Sequence, residues 1–253
     1  MSALPGHVSF VSAGPGAADL ITLRGLRALQ AADVVLADAL ADPALRAHAP
    51  QALWLDVGKR GFEHSAKQAE INALLVQAAR AHARVVRLKG GDASLFGRLE
   101  EELQALADAG IASEVVPGVS AALAAAAQAQ APLTRRGRGR SVAFATAMTE
   151  SGALRASRSA DTEVFYMAGR QLPQLAEQLR AAGWPAGTPT LAVSRAGCPD
   201  ARVTRQSLAD LAQAAPAHAG RPTVLTVGAG AAPVQARAAP TLPQSCCQLP
   251  TAN

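Results

Sequence analysis

The sequence predicts an α/β fold in two halves, and three observations carry that prediction. Short apolar runs alternate with longer amphipathic stretches along most of the 253 residues, and several of the runs stop abruptly at glycine-rich turns. A basic, glycine-rich segment at 132–140 then separates two portions that each repeat the pattern. The chain is long enough for two modest domains with cores of their own. The expected limits are 1–134 for an N-terminal α/β domain and 135–230 for a C-terminal one. Residues 231–253 are Ala, Pro and Gln without periodicity, and are expected to be a disordered tail.

Composition narrows the class. Hydrophobic residues make up 49% and charged residues 17%, which fits a globular protein. Neither a leader with a basic start and an apolar core nor an apolar run of about 18 residues occurs, so a soluble cytoplasmic protein without membrane association is expected. Cys198, Cys246 and Cys247 lack the paired spacing of a zinc or redox site, and no metal is expected. A formal charge of +5, carried mostly by Arg, favours an anionic partner.

Residues 7–13, HVSFVSA, read as a strand running into Gly14-Pro15-Gly16, with a helix at 22–32. Proline between the glycines, and no glycine at the third place of a dinucleotide fingerprint, argue against a pyrophosphate cradle. Such a loop suits the wall of a pocket for a ligand without phosphates. The strand at 33–37 ends at Asp38, either an acid or base at the carboxyl end of a parallel strand or an ordinary loop carboxylate or helix cap. A third strand, 53–57, precedes Gly58-Lys59-Arg60-Gly61, two cations either aimed at anionic groups or simply solvated. A helix at 67–83, with Ile71, Leu74, Leu75 and Ala78 on one face, leads into the stretch on which the chain centres.

That stretch is a strand at 85–88, the corner Gly90-Gly91-Asp92 and a helix at 99–109. Adjacent glycines let backbone approach a ligand closely, and Asp92 can accept hydrogen bonds from ligand hydroxyls or an amine; a purely structural βα turn is the other reading. Gly110 ends the helix, and a strand at 113–116 stops at a third turn of the same kind, 117–121. A helix of nearly pure alanine follows at 121–131, small enough to pack closely under a ligand or against a sheet. The arginines at 135, 136, 138 and 140 could contact nucleic acid, but no aromatics are interleaved for base stacking, so an anionic small molecule ranks first. Strands at 141–147, 162–167, 189–193 and 223–227, with helices at 172–182 and 206–214, complete the second half.

Taken together, GPG at 14–16, Asp38, GKRG at 58–61, VVRLKGGD at 85–92, FGR at 96–98, PGVSA at 117–121, PLT at 132–134 and FYM at 165–167 resemble the tetrapyrrole methylase family. The resemblance covers roughly residues 8–230. It implies two α/β domains of the class III methyltransferase type with S-adenosyl-L-methionine in the cleft between them, in a homodimer without nucleic acid as a partner. It further implies methyl transfer to ring carbons of a polycarboxylated tetrapyrrole, with uroporphyrinogen III as expected substrate and precorrin-2 as product, on the way to sirohaem or cobalamin. Carried over residue by residue, it puts Pro15, Gly90, Gly91, Asp92, Leu95, Ser120, Ala121, Met167 and Ala196 at the methyl donor. It makes Asp38 the proton acceptor and Lys59 the neighbouring cationic or proton-donating group. Arg60 and Arg98, together with the 135–140 arginines, are candidates for the substrate carboxylates. Departures from the family pattern are Ala37, Ala93, Leu99-Glu100 and Arg135. Another tetrapyrrole methylase, acting on a different corrin or porphyrin, is the alternative; a nucleic-acid-binding protein is a distant one.

Overall fold

The structure is a computed structural model and describes residues 6–58, 68–148 and 154–234. Its first part is a sheet of β1 (His7–Ser12), β2 (Val34–Ala37), β3 (Leu53–Asp56), β4 (Arg84–Lys89) and β5 (Ser113–Val116). The order is β3-β2-β4-β1-β5, and every pair is parallel. Parallel sheets are covered on both faces, which is why the central strands are apolar in succession rather than in alternation. On one face Val8, Phe10, Val34, Leu36 and Val85 pack against α2 (Gln68–Ala81) and α3 (Leu99–Asp108) through Ile71, Leu75 and Leu106. On the other, Val11, Val35, Val86 and Leu88 meet Leu29 of α1 (Leu23–Gln30) and Leu45 of a 3-10 segment, Pro43–His48. The start of α1 is fixed by Thr22, whose Oγ1 accepts from the Gly25 N–H.

The second part is a mixed sheet of β6 (Val142–Thr146), β7 (Thr162–Tyr166), β8 (Pro189–Ser194), β9 (Arg202–Ser207) and β10 (Thr223–Gly228). The order is β6-β7-β10-β8-β9, with only β6 and β7 parallel. Phe165, Ala192, Leu225 and Val227 face α5 (Leu172–Ala181), whose Leu172, Leu175 and Leu179 are fully buried. Each leucine of that kind contributes about 1.5–3 kcal/mol. Val164, Tyr166, Leu191 and Val193 face the alanine helix α4 (Ala121–Gln128), whose small side chains let it lie close to the sheet.

Two expectations are corrected here. Gln206 and Ser207 are not helical but finish β9, and the segment after them, Leu208–Ala214, is a 3-10 helix. β9 is an edge strand with no buried residue, so its residues RVTRQS lack the apolar signature of a buried strand. The alanine helix stops at Gln128 rather than 131, because Gln130 turns left-handed at φ 49°.

The arginine segment forms a tight turn, with Arg135 and Gly139 bridged and Asp161 accepting from the backbone N–H groups of Arg140 and Ser141. It leads into the amino end of β6. It therefore lies a strand's length, about 16 Å, from the carboxyl ends of β6 and β7. The turn is thus set back along the sheet from those ends. The expected tail beyond 234, with Cys246 and Cys247, lies outside the described residues. No helix among the described residues is long and apolar enough to cross a membrane.

The topology gathers loops at one place. β1, β4 and β5 run parallel, so their carboxyl ends share an edge. β7 and β8 both run against β10 and hence parallel to each other, and the turns after them meet the turns after β1 and β4.

Candidate functional site

Three glycine corners interlock on the first sheet. The Gly14 N–H donates to the Gly91 carbonyl at 3.2 Å and the Gly91 N–H to the Gly14 carbonyl at 2.8 Å, joining the turns after β1 and β4. Both residues have positive φ, 79° and 70°, which glycine adopts without the strain a side chain would bring. Asp92 ties in the third turn. Its Oδ2 accepts from the Gly118 N–H at 2.9 Å, while its Oδ1 accepts from the Ser94 N–H at 2.9 Å and from the Ser94 hydroxyl. Burial pushes the Asp92 carboxyl up, but the bonds from Gly118 and Ser94 together outweigh it and hold the group below the usual carboxylate range. Gly118 in turn sits against Ser12, where an added Cβ would come within 2.5 Å of the serine Cβ. The Ser12 Oγ accepts from the buried Ala93 N–H at 3.0 Å.

The second sheet supplies the opposite wall. Tyr166 ends β7, and its hydroxyl lies 2.5 Å from the Ser120 Oγ at the start of α4. Burial pushes the phenol up, against the bonds to Ser120 and Ala122. The Tyr166 ring also meets Phe96, with centroids 5.0 Å apart, so the turn after Gly90-Gly91-Asp92 touches the second sheet directly. Leu95 packs on the same apolar cluster as α4. Behind Pro15, the GPG turn rests on the loop after β8: an added Cβ on Gly16 would be 2.6 Å from the Cys198 Sγ and 3.0 Å from the Ala196 carbonyl oxygen. Phe96, Arg98, Met167 and Arg195 account for four of the five non-glycine residues with positive φ among the described residues, and all lie on these turns. Left-handed side-chain residues persist only where surrounding structure over-determines them, and such clusters mark binding sites.

The structure thus brings Pro15, Gly90, Gly91, Asp92, Leu95, Ser120, Ala121, Met167 and Ala196 onto one set of facing turns. Asp38 follows β2 on the same edge, its N–H donating to the Leu88 carbonyl at 2.9 Å and its Oδ1 accepting from the Ala39 N–H at 2.8 Å. Arg98 is exposed, and its guanidinium grips Glu101 with Nε and Nη2 at 2.7 and 2.8 Å. Lys59 and Arg60 lie outside the described residues.

Sequence reasoning missed two groups. Tyr166 is the sole tyrosine of the chain and the last residue of an apolar run, a signal that could have found it. The other is a buried ion cluster. Arg87 and Lys89 point from β4 to Glu102 of α3, with Nε to Oε1 at 2.9 Å and Nζ to Oε2 at 2.6 Å, and Arg87 also donates to the Leu36 and Leu88 carbonyls. Burial pushes the Lys89 ammonium down and Arg87 adds to that, while Glu102 and Asp38 oppose it; the net direction is downward. Two cations inside a buried strand require an anion in the next element, and Glu102 was there to be read.

These turns carry the order of features found in one group of enzymes. A model of the Tetrapyrrole (Corrin/Porphyrin) Methylases matches residues 7–212. The chain belongs to the tetrapyrrole methylase family. It is 40% identical over 230 residues to the uroporphyrinogen-III C-methyltransferase of Pseudomonas aeruginosa, which covers 89% of this chain and 94% of that protein. It is 44% identical over 232 residues to a siroheme synthase of Klebsiella pneumoniae, covering 88% of this chain and 48% of that one. The chain thus spans about half the length of the siroheme synthases it matches. Among solved structures, the uroporphyrin-III C-methyltransferase of Thermus thermophilus complexed with S-adenosylhomocysteine superposes with a TM-score of 0.77 at 37% identity, over 88% of this chain and 97% of that one.

Proposed function

We propose that this chain is an S-adenosyl-L-methionine-dependent C-methyltransferase that converts uroporphyrinogen III to precorrin-2, supplying sirohaem or cobalamin synthesis. The observation that carries the reading is the convergence of the Gly14, Gly91 and Gly118 corners with Ser120, Tyr166 and Met167 across one cleft. Such a cleft offers backbone, hydroxyl and apolar groups, which suits an adenosine joined to a thioether amino acid. The activity of the similar Pseudomonas and Thermus proteins supports the same substrate. The two α/β units, with their boundary near 134, act in this reading as a cytoplasmic homodimer.

The donor, when bound, supplies an electrophilic methyl group. The residues of the chain position it and manage a proton. The glycine corners let backbone close on the donor, Ser120 and Leu95 meet its polar and apolar parts, and Met167 and Ala196 wall the far side. A pyrrole carbon of the substrate would attack the methyl carbon and displace the thioether, and a proton lost from the macrocycle, since the attacked carbon carries none, would pass to Asp38; precorrin-2 requires this at two rings, with a second donor molecule. Arg60 and Arg98 hold the substrate carboxylates, and Lys59 is the neighbouring cationic or proton-donating group. General-base removal costs about 10²–10⁴-fold. In an anaerobic methyl-transfer assay on uroporphyrinogen III, the wild-type chain forms precorrin-2 and Asp38→Asn loses activity by that factor. A wild-type chain that binds the donor but leaves uroporphyrinogen III unchanged sinks the substrate assignment.

A further inference from the structure

The register of the first sheet sets a buried cation beside the proposed proton acceptor. β2 and β4 pair with Ala37 opposite Leu88, and the Asp38 N–H bond to the Leu88 carbonyl carries that ladder one residue further, so Asp38 lies beside Lys89. Paired residues of neighbouring strands project to the same face. Here that face is the one covered by α2 and α3, where Arg87 and Glu102 also lie. Lys89 is 3% exposed, and its stem runs beneath Gly97, where an added Cβ would come within 3.2 Å of Cε. Glu102 is fully buried and takes both Lys89 and Arg87, so two cations share one anion. A surplus buried positive charge is unfavourable unless another anion reaches it. Asp38 is the carboxylate at hand: it acts on the Lys89 ammonium in the same direction as Glu102.

We propose that Lys89 is a positioning residue for methyl transfer: its buried ammonium, anchored by Glu102, restrains the Asp38 carboxylate at the cleft so that it meets the proton the macrocycle loses. The inference rests on the reading of Asp38 as proton acceptor. It differs from the role expected of Lys59, because Lys89 sits under the sheet edge and touches neither donor nor substrate. The strand, rather than a loop, fixes it, and the Glu102 contact prevents the ammonium from swinging to water.

The test compares Lys89→Met, Lys89→Arg and Asp38→Asn in the full chain, measuring kcat, KM for uroporphyrinogen III, and affinity for S-adenosylhomocysteine by calorimetry. Lys89→Met leaves Arg87 and Glu102 as a neutral buried pair, so the fold is retained. It is expected to lower kcat about 10–100-fold, the cost of misplacing a reacting group by about 1 Å, with S-adenosylhomocysteine affinity within about twofold of wild type. Lys89→Arg restores most of the lost rate. A purely structural lysine would instead lower stability and donor affinity together and leave kcat of the folded fraction intact. Lys89→Met turning over at the wild-type rate, or Lys89→Arg no better than Lys89→Met, overturns the proposal. Should Lys89→Met fail to fold, Lys89→Gln, which can still donate to Glu102, carries the same comparison. Asp38→Asn separates the two ideas: full activity there removes the acceptor itself, whereas loss there beside a wild-type Lys89→Met removes only the positioning role.

Discussion

The bond between Ser120 and Tyr166 joins the loop after β5 to the end of β7, and its removal is the perturbation whose size the structure defines best. Both side chains are buried, at 5% and 8% exposure, and the oxygens are 2.5 Å apart. Tyr166→Phe keeps the ring contacts with Phe96 and Phe144 but leaves the Ser120 hydroxyl in an apolar cluster without its partner. A buried polar group stranded in this way costs about 1–3 kcal/mol, and Ser120→Ala lies toward the lower end of that range because the phenol keeps its bond to the Ala122 backbone. Removing both oxygens together is close to neutral by comparison, so the double variant should recover about 1–2 kcal/mol relative to the sum of the singles. For a chain of this size, 1 kcal/mol moves Tm by about 2–4 °C. Thermal unfolding of the four proteins measures the cycle directly. Single variants that each melt within about 1 °C of wild type, or a double variant that is strictly additive, would refute the bond as a link between the two sheets.

Four further outcomes follow from the same geometry. Glu102→Leu strands Arg87 and Lys89 in the sheet and should cost about 3–5 kcal/mol in denaturant unfolding, the largest loss of any substitution considered. Gly118→Val places a side chain against Ser12 and displaces the amide that Asp92 holds, so donor affinity measured by calorimetry should fall by at least about tenfold. His218 is fully buried, and burial with Arg221 and Arg202 nearby pushes its ring below the ordinary value of 6.5. A depressed pKa means the unfolded chain binds the proton more readily, so His218 costs no stability above about pH 6.5 and destabilises progressively as pH falls below it. Urea midpoints between pH 7 and 5 should fall more steeply for wild type than for His218→Gln. Asp92 is also held below its usual range, so its contribution is present above the ordinary carboxylate pKa and lost as pH falls through the folded value; Asp92→Asn should flatten the loss of stability measured in a separate urea series below about pH 4.

Much of the architecture was legible because the physics is local. The runs at 7–13, 33–37 and 85–88 are apolar on both sides, as strands of a sheet covered on two faces must be, and the glycine turns that end them mark the carboxyl edge where a ligand fits. β9 was illegible for the opposite reason: an exposed edge strand carries polar residues that alternate with nothing. The left-handed Gln130 gave no warning in a stretch of alanines, so α4 read too long. At the site, the corners were visible as glycines, but their mutual bonds were not. Nothing in Gly14 and Gly91 announces that their amides pair, and nothing in Asp92 shows that both its oxygens are engaged by Gly118 and Ser94. The arginines at 135–140 look like a substrate clamp in one dimension, and only the direction of β6 shows that their turn stands at the amino end of that strand.

Calorimetric titration of the full chain with S-adenosylhomocysteine tests most directly whether the facing turns form the pocket for the methyl donor. Gly91 offers the paired control: its φ of 70° disfavours any side chain, and no atom lies within 4 Å of where a Cβ would stand, so Gly91→Val projects into the open cleft. Saturable binding by the wild-type chain that is lost in Gly91→Val, with the fold intact by circular dichroism, is the predicted result. Absence of binding by the wild type, or equal binding by the variant, would contradict the account.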